Sequence, residues 1–465
     1  MKCRLIIISI LVLCQVGWST IYRVGEIQQF KSPNEVPWEK LLPGDVVEIY
    51  PRLLPYRSKW VMCVQGRKGL PITVRGIPDK DGLLPIIDGR NATTRSALNY
   101  WGEERAVIKI GGANQPADTM PSHLVIENLD IRGGRRGNVF TGRTGKSEYL
   151  KNGAAIYIEK GRFITLRGCV FHDCGNGLIT SSDVENVHID ACHFYGNGNI
   201  GSIYEHNAYT SVRGIVFEHC RFGPLLRGAR GNNLKDRSAG LVVRYNWIEG
   251  GTRMLDLVDA DDPRTSGDPR YLETHVYGNV LIKTSVASNN QVIHFGGDSG
   301  KKDRYRNGML YLFNNTVVSK RKDNTTLVRF SSEQQSLYLA NNLVYTEESP
   351  GTHLALIAGD GAIYGYRNWF KKGWKVNRSP MKAEANLSDT LDGDNPMFSA
   401  PAQDDYRLGA GSPCLASGAF LKSALVPEYS VKYQYVPGGK GLSRVRNGQA
   451  NHGRPDIGAY EAAGE

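Results

Sequence analysis

One pattern recurs along the chain and constrains its fold more than any other feature: apolar, any, apolar, any, any, Cys or Asn, any, apolar. It runs Ile164-x-Leu166-x-x-Cys169-x-Phe171, then Val187-x-Ile189-x-x-Cys192-x-Phe194 and Ile215-x-Phe217-x-x-Cys220-x-Phe222. Leu241-x-Val243-x-x-Asn246-x-Ile248 exchanges Cys for Asn, and copies starting at Thr274, Leu310 and Leu337 keep the Asn at Asn279, Asn315 and Asn342. Successive starts from Ile164 to Leu337 lie 23, 28, 26, 33, 36 and 27 residues apart, and weaker copies begin at Ile72, Leu124 and Ile363. Alternation of apolar and polar positions is the period of a strand, not of a helix. The two-residue offset at Cys or Asn turns a corner before the next apolar residue. One such unit cannot bury its own apolar face, whereas stacked copies can. Uneven spacing then means coils of constant core with loops of varying length. Asn at a fixed corner predicts stacked side-chain amides, and Cys there predicts a small buried hydrophobe.

The chain of 465 residues is 40% hydrophobic, enough to bury a core, and its 53 glycines follow no strict period, which excludes collagen. No run of about 18 apolar residues occurs, so no membrane-spanning helix is expected. Near the start stand Pro43-Gly44-Asp45-Val46-Val47-Glu48-Ile49-Tyr50, Pro71-Ile72-Thr73-Val74-Arg75-Gly76 and Ile87-Asp88-Gly89. Near the end stand Asn395-Pro396-Met397-Phe398, Tyr406-Arg407-Leu408, Gly411-Ser412-Pro413-Cys414 and Asp456-Ile457-Gly458-Ala459-Tyr460-Glu461. With the repeat, these segments give a chain that resembles the right-handed parallel β-helix proteins of the pectate-lyase type over nearly all its length. The resemblance implies an all-β, single-stranded right-handed solenoid. The expected layout is a signal peptide over 1–19, an N-terminal cap over 20–44, the helix over 45–372, and a C-terminal segment over 373–465 packed back on it.

Lys2 and Arg4, the apolar run Leu5–Cys14, and the small residues Gly17 and Ser19 read as a secretory signal. The expected location is therefore secreted or periplasmic. The formal charge of +11 falls to +9 once Lys2 and Arg4 leave with that segment. A basic exported chain points to an acidic polysaccharide rather than nucleic acid. A monomer without a membrane span is expected. Outside the signal, Cys63, Cys169, Cys174, Cys192, Cys220 and Cys414 are too few for the disulfide framework of a small secreted domain, and no paired CxxC spacing argues for zinc.

The strand before each repeat copy must form a second sheet. In Met254-Leu255-Asp256-Leu257, Val292-Ile293-His294-Phe295 and Leu327-Val328-Arg329-Phe330 the apolar flanks point in, so the residue between them points out. The outward column is Tyr157, Tyr209, Lys235, Asp256, His294 and Arg329, with Arg237 two positions along its strand. Rows about 4.8 Å apart would make one polar strip suited to a sugar chain. A polar solvent face is the ordinary explanation for any single member, but six aligned positions rich in acid-base groups favour a functional surface. Glu205-His206-Asn207-Ala208-Tyr209 and Gly231-Asn232-Asn233-Leu234-Lys235-Asp236-Arg237-Ser238 resemble segments of bacterial β-helix proteins. Their Lys-then-Arg order is similar to that of the alginate and chondroitin lyases of this fold. That resemblance implies Lys235 as base and Arg237 or Arg253 as its partner.

β-Elimination beside a uronate carboxylate needs cations to neutralise the acid, a base of lowered pKa, and a proton donor for the leaving oxygen. Lys235 near Arg237 is the candidate base, and Tyr209, His206 or His294 the candidate donor. Tyr157, Asn207, Asn233, Arg253, Asp256 and Arg329 are candidate substrate contacts. For His206, a satisfied turn histidine is an equal alternative. Asp256 with Glu205 or Asp236 could instead form the carboxylate pair of a glycoside hydrolase. Asp259, Asp261 and Asp262 are candidate ligands for Ca²⁺, although a solvated loop is the commoner fate of such a run. No GxxxxGK[ST], HExxH or GxSxG motif occurs. The expected function is an exported polysaccharide lyase on a uronate-containing polymer that requires no cofactor. A hydrolase, a C5-epimerase or a non-catalytic glycan binder are the alternatives.

Overall fold

Each repeat copy folds into two short strands with a corner between them, and a third strand precedes the pair. In one coil, Ala154–Arg167 runs through two faces and Val170–His172 forms the third. The computed structural model describes residues 19–347, 353–379, 383–421, 428–436, 444–446 and 454–462. The expected signal peptide therefore lies almost wholly outside the described residues. Neighbouring coils pair in parallel: Ile164, Leu166 and Phe171 stand beside Val187, Ile189 and Phe194, and these beside Ile215, Phe217 and Phe222. The third face is an 11-stranded parallel sheet from Ile86–Asp88 to Leu391–Gly393. Helix is almost absent among the described residues, with one four-residue α-helix at Pro263–Ser266. The all-β expectation is met.

The corner has a definite backbone. The residue before each Cys or Asn lies in the left-handed region, as at Gly168 (φ 60°), Ala191 (54°), His219 (54°), Tyr245 (57°), Gly278 (65°) and Asn314 (50°). A left-handed residue costs a non-glycine side chain about 1–2 kcal/mol, so something must hold the turn. On the later coils that support is the amide column. Asn246 Nδ2 donates to Asn279 Oδ1 at 2.9 Å, and the bond repeats at 3.0 Å from Asn279 to Asn315, Asn315 to Asn342 and Asn342 to Asn368. Each Oδ1 also accepts the backbone N–H of the preceding Asn. On earlier coils Cys169, Cys192 and Cys220 fill the same corner as buried free thiols. Inside, Phe171, Phe194 and Phe222 stack with ring centroids 4.9 and 4.8 Å apart.

Parallel pairing begins and ends beyond the expected 45–372. Ile21–Val24 already pairs with Val46–Ile49, and Ala383–Ser388 still pairs with Gly361–Tyr366. The region expected as a cap thus contributes a strand. Its remainder carries Trp38, which stacks on Trp60 at 4.6 Å inside the main core. The C-terminal segment packs on the outside of the third face, where Tyr406, Tyr435, Ala459 and Tyr460 cover Trp247, Val280, Ile282 and Val318.

Candidate functional site

The face that precedes the repeat carries the strip. Its register sets Lys109, Tyr157, Ile179, Tyr209, Lys235, Asp256, His294 and Arg329 side by side on successive coils. The flanking Leu255, Leu257, Ile293, Phe295, Val328 and Phe330 are in the core. The six expected positions form the column, joined by Lys109 and Ile179. Its middle is covered, however: Lys235 is 8%, Asp256 1% and His294 6% exposed. Arg329, at the far end, lies open to solvent.

Asp256 is the hub. Its Oδ1 lies 2.8 Å from His294 Nδ1 and 3.3 Å from Arg253 Nη1, while its Oδ2 accepts from Lys235 Nζ at 3.0 Å and Asn232 Nδ2 at 2.8 Å. Burial works against the charge, but His294, Lys235 and Arg253 outweigh it and hold the carboxyl well below the usual carboxylate range. Lys235 Nζ also donates to Asp298. Burial alone would lower its pKa, yet Asp256 and Asp298 overcome burial and raise it. The expectation of a lysine with lowered pKa is thus corrected: two carboxylates hold Lys235 as an ammonium.

Arg237 projects beside Lys235. It donates from Nε to the Tyr209 phenol oxygen at 2.9 Å, from Nη1 to Asp259 O at 2.6 Å, and from Nη2 to Asp298 Oδ1 at 2.9 Å. Its pKa is raised because Tyr209, Asp298 and Asp261 prevail over burial. The His206 ring sits edge-on to Tyr209 at 5.5 Å. His206 Nδ1 accepts the Asn232 N–H at 2.9 Å, and burial followed by the charge of Lys235 pushes the ring down to about 3. It is therefore neutral, with its proton on Nε2. His294 has both ring nitrogens engaged, the second lying 2.8 Å from Ser331 Oγ.

A cleft of about 560 Å³ adjoins this cluster along the strip, lined by Arg105, Tyr157, Tyr204, Glu205, Tyr209 and Asp261 among others. Arg105 lies 4.6 Å over the Tyr157 ring and Lys151 lies 5.4 Å over Tyr204. Burial raises the Asp261 carboxyl although Arg237 pulls it down. Glu205 Oε2 is buried without a hydrogen-bond partner among the described residues.

Several expected roles do not survive. Asn207 and Asn233 are fully buried in a second amide column, in which Asn197 Nδ2 donates to Asn207 Oδ1 at 3.0 Å and Asn207 Nδ2 to Asn233 Oδ1 at 2.5 Å. They close a corner and are not free to touch a substrate. Asp236 is likewise interior, where it accepts from Arg306 Nη2 at 2.7 Å, from Thr210 Oγ1 at 2.6 Å and from Ser238 Oγ at 2.7 Å.

The three candidate calcium ligands go separate ways. Asp259 Oδ1 accepts the N–H groups of Asp298 and Ser299, Asp262 caps the short helix through the N–H groups of Arg264 and Thr265, and Asp261 lies 3.5 Å from Arg237. Among the described residues, the group whose ligand atoms fall within 4.8 Å of one another is His188, Asp190 and Glu218. It could hold a metal ion, but it lies on the second face, where Arg167 pairs with Asp190 and Arg244 with Glu218.

Residues 119–319 match the family described as right handed beta helix region. The fold is a right-handed parallel β-helix. Among solved structures, this β-helix is similar to pectate lyase Pel9A, with a TM-score of 0.56 at 12% identity over 97% of this chain and 98% of that one. It also matches an alginate lyase from Paenibacillus sp. str. FPU-7, with a TM-score of 0.48 at 12% identity over 68% and 92% of the two chains. A GH136 lacto-N-biosidase from Eubacterium ramulus aligns at 0.38 and 13% identity over 81% of this chain and 68% of that one. No curated protein matches the sequence. At such identities the likeness to pectate lyase Pel9A establishes the β-helix fold alone.

Proposed function

We propose that the protein cleaves an acidic, uronate-containing polysaccharide by β-elimination. The observation that carries the reading is the phenol oxygen of Tyr209. Tyr209 lines the cleft, its phenol oxygen accepts the Arg237 Nε hydrogen bond at 2.9 Å, and Lys235 stands beside it in the column. A uronate lying in the cleft with its carboxylate toward Lys235 and Arg237 would present its acidic carbon to that oxygen. In the reaction the C5–H and C4–O bonds break and a C4=C5 double bond forms. Tyr209 takes the proton as a phenolate and, as the phenol, returns it to the leaving oxygen, so the proton count is restored. Lys235 and Arg237 neutralise the carboxylate and the charge that develops on it. His206, neutral and carrying its proton on Nε2, serves as a hydrogen-bond donor, while His294 and Arg253 fix Asp256. Tyr157 and Arg329, along the same strip, are placed to meet sugars further along the chain.

The test is the ultraviolet absorbance of unsaturated uronate during incubation with a panel of acidic polysaccharides, with and without Ca²⁺. A rise that Tyr209→Phe abolishes supports the reading; no rise with any polymer removes it. Hydrolysis is the second reading, favoured by Glu205 Oε2, which has no partner among the described residues, and Asp261 with a raised pKa on one cleft. New reducing ends without absorbance, lost in Glu205→Gln, would establish it. Exchange of the C5 proton without cleavage would indicate epimerisation, and binding with no change in the polymer a glycan-binding role. Export belongs to the same proposal, and N-terminal sequencing of the mature protein tests it.

A further inference from the structure

Asp298 is an acid with an unusual position. Its Oδ1 accepts from Arg237 Nη2 at 2.9 Å and its Oδ2 from Lys235 Nζ, and among the described residues the carboxylate has no other partner. The other two acids that meet this cation pair most closely are fastened elsewhere. Asn232, Arg253 and His294 hold Asp256, and the N–H groups of Asp298 and Ser299 hold Asp259. Asp298 is also exposed, its side chain 36% accessible against 11% for Lys235 and 10% for Arg237, and unlike the more exposed Asp261, which reaches Arg237 alone at 3.5 Å, it bridges both cations. It therefore lies on the solvent side of two covered cations. The backbone around it is held, Gly296 and Gly297 lying close against Ser331 and Tyr305 and the Asp298 and Ser299 N–H groups bonding Asp259, so the Asp298 side chain is the part left to turn away.

We propose that Lys235 and Arg237 form the subsite for the uronate carboxylate, and that Asp298 fills this subsite until a uronate displaces it. The inference rests on the acidic-polysaccharide reading above and names which group of the substrate is recognised. Exchange of one carboxylate for another leaves the charge around Lys235 and Arg237 unchanged. A neutral sugar has no charge to offer the two covered cations in exchange, so it leaves Asp298 in place and gains nothing from the subsite. The cation pair thus selects for acidic polymers. Asp298 competes with substrate for the subsite, and the chemistry is left to Tyr209.

The experiment compares the unaltered protein with Asp298→Asn by calorimetric titration against tri-uronides of galacturonate, glucuronate, mannuronate and guluronate, and against their methyl esters. If Asp298 vacates the subsite in about a tenth of molecules, Asp298→Asn should bind the matching acid about tenfold more tightly, with the ester unaffected. In the unaltered protein, the Asp298 carboxyl carbon resonance should move toward that of a free carboxylate as the acid is added, a readout that does not depend on the variant folding. Equal or weaker binding of the acid by a folded Asp298→Asn, an equal gain for the ester, a static resonance, or no binding of any acid overturns the proposal. Tighter binding without unsaturated product keeps the subsite and removes elimination. Unsaturated product without tighter binding does the reverse.

Discussion

At the scale of single residues, the proposed elimination assigns chemistry to Tyr209 and support to Asp256. Tyr209→Phe removes one oxygen from the cleft wall, and the expected outcome is a loss of kcat of about 10²-fold or more, with polymer binding retained. An unchanged kcat would exclude Tyr209 from proton transfer. Asp256→Asn instead leaves the covered Lys235 with one carboxylate fewer, and breaking such a pair costs about 3–5 kcal/mol. A fall in Tm together with activity is expected, and activity loss alone would point to a direct role for Asp256. The outward column was legible because alternation within Leu255–Leu257 and Gln291–Phe295 fixes which side chains leave the core. Ile179 was overlooked because an apolar residue on an outward position breaks no visible pattern. Asp298 was out of reach, since it sits on a loop and joins Lys235 across 63 residues of sequence. Asn207 and Asn233 misled for the opposite reason: a polar residue beside an apolar strand reads as exterior, yet a column of amides satisfies itself inside.

At the scale of the element, the Asn corner was foreseen from its recurrence in Asn246, Asn279, Asn315 and Asn342, and the hydrogen bonds match the expectation. The left-handed residue ahead of Asn279, Asn315 and Asn342 is itself a legible one, Gly278, Asn314 and Asn341, whereas Tyr245 ahead of Asn246, like Ala191 and His219 ahead of the Cys corners, is a poor signal for that conformation. Mid-column substitution tests the role. Asn315→Ala removes the acceptor used by Asn279 N and Nδ2 and the donor to Val276 O and Asn342 Oδ1. Orphaned buried groups cost about 1–3 kcal/mol each. Chemical denaturation should show a loss at least as large as a single such group. A neutral substitution would mean that coil stacking alone sets the corner.

At the scale of the whole molecule, several buried ionisable groups make stability depend on pH in one direction. Burial pushes His193 and His275 down to about 4 and His206 to about 3. The unfolded chain takes up protons at these residues below about pH 6.5, the folded chain only several tenfold steps of acidity later. Stability is therefore expected to fall as pH drops from about 6.5. Asp256, depressed by His294, Lys235 and Arg253, and Glu218, brought down to about 2 by His188 and Arg244 against burial, extend the loss below the ordinary carboxylate range. Urea midpoints measured from pH 7 to acid check this, and a flat profile would contradict it. The repeat made the solenoid legible from end to end, while its true limits were not. Ile21–Val24 and Ala383–Ser388 join the stack without carrying the Cys-or-Asn corner.

The free cysteines have a consequence of their own. Burial drives Cys63 up to about 11 and Cys174 and Cys414 to about 12, and Cys169 and Cys192 well above the ordinary thiol value. The six thiols of the described residues should be silent toward alkylating reagents in the native protein, because each is enclosed. Each modification then records an opening of the structure at a known address: Cys63 near one end, the group from Cys169 to Cys220 in the middle, Cys414 in the docked tail. The order in which they become labelled would read out the direction in which the solenoid unzips.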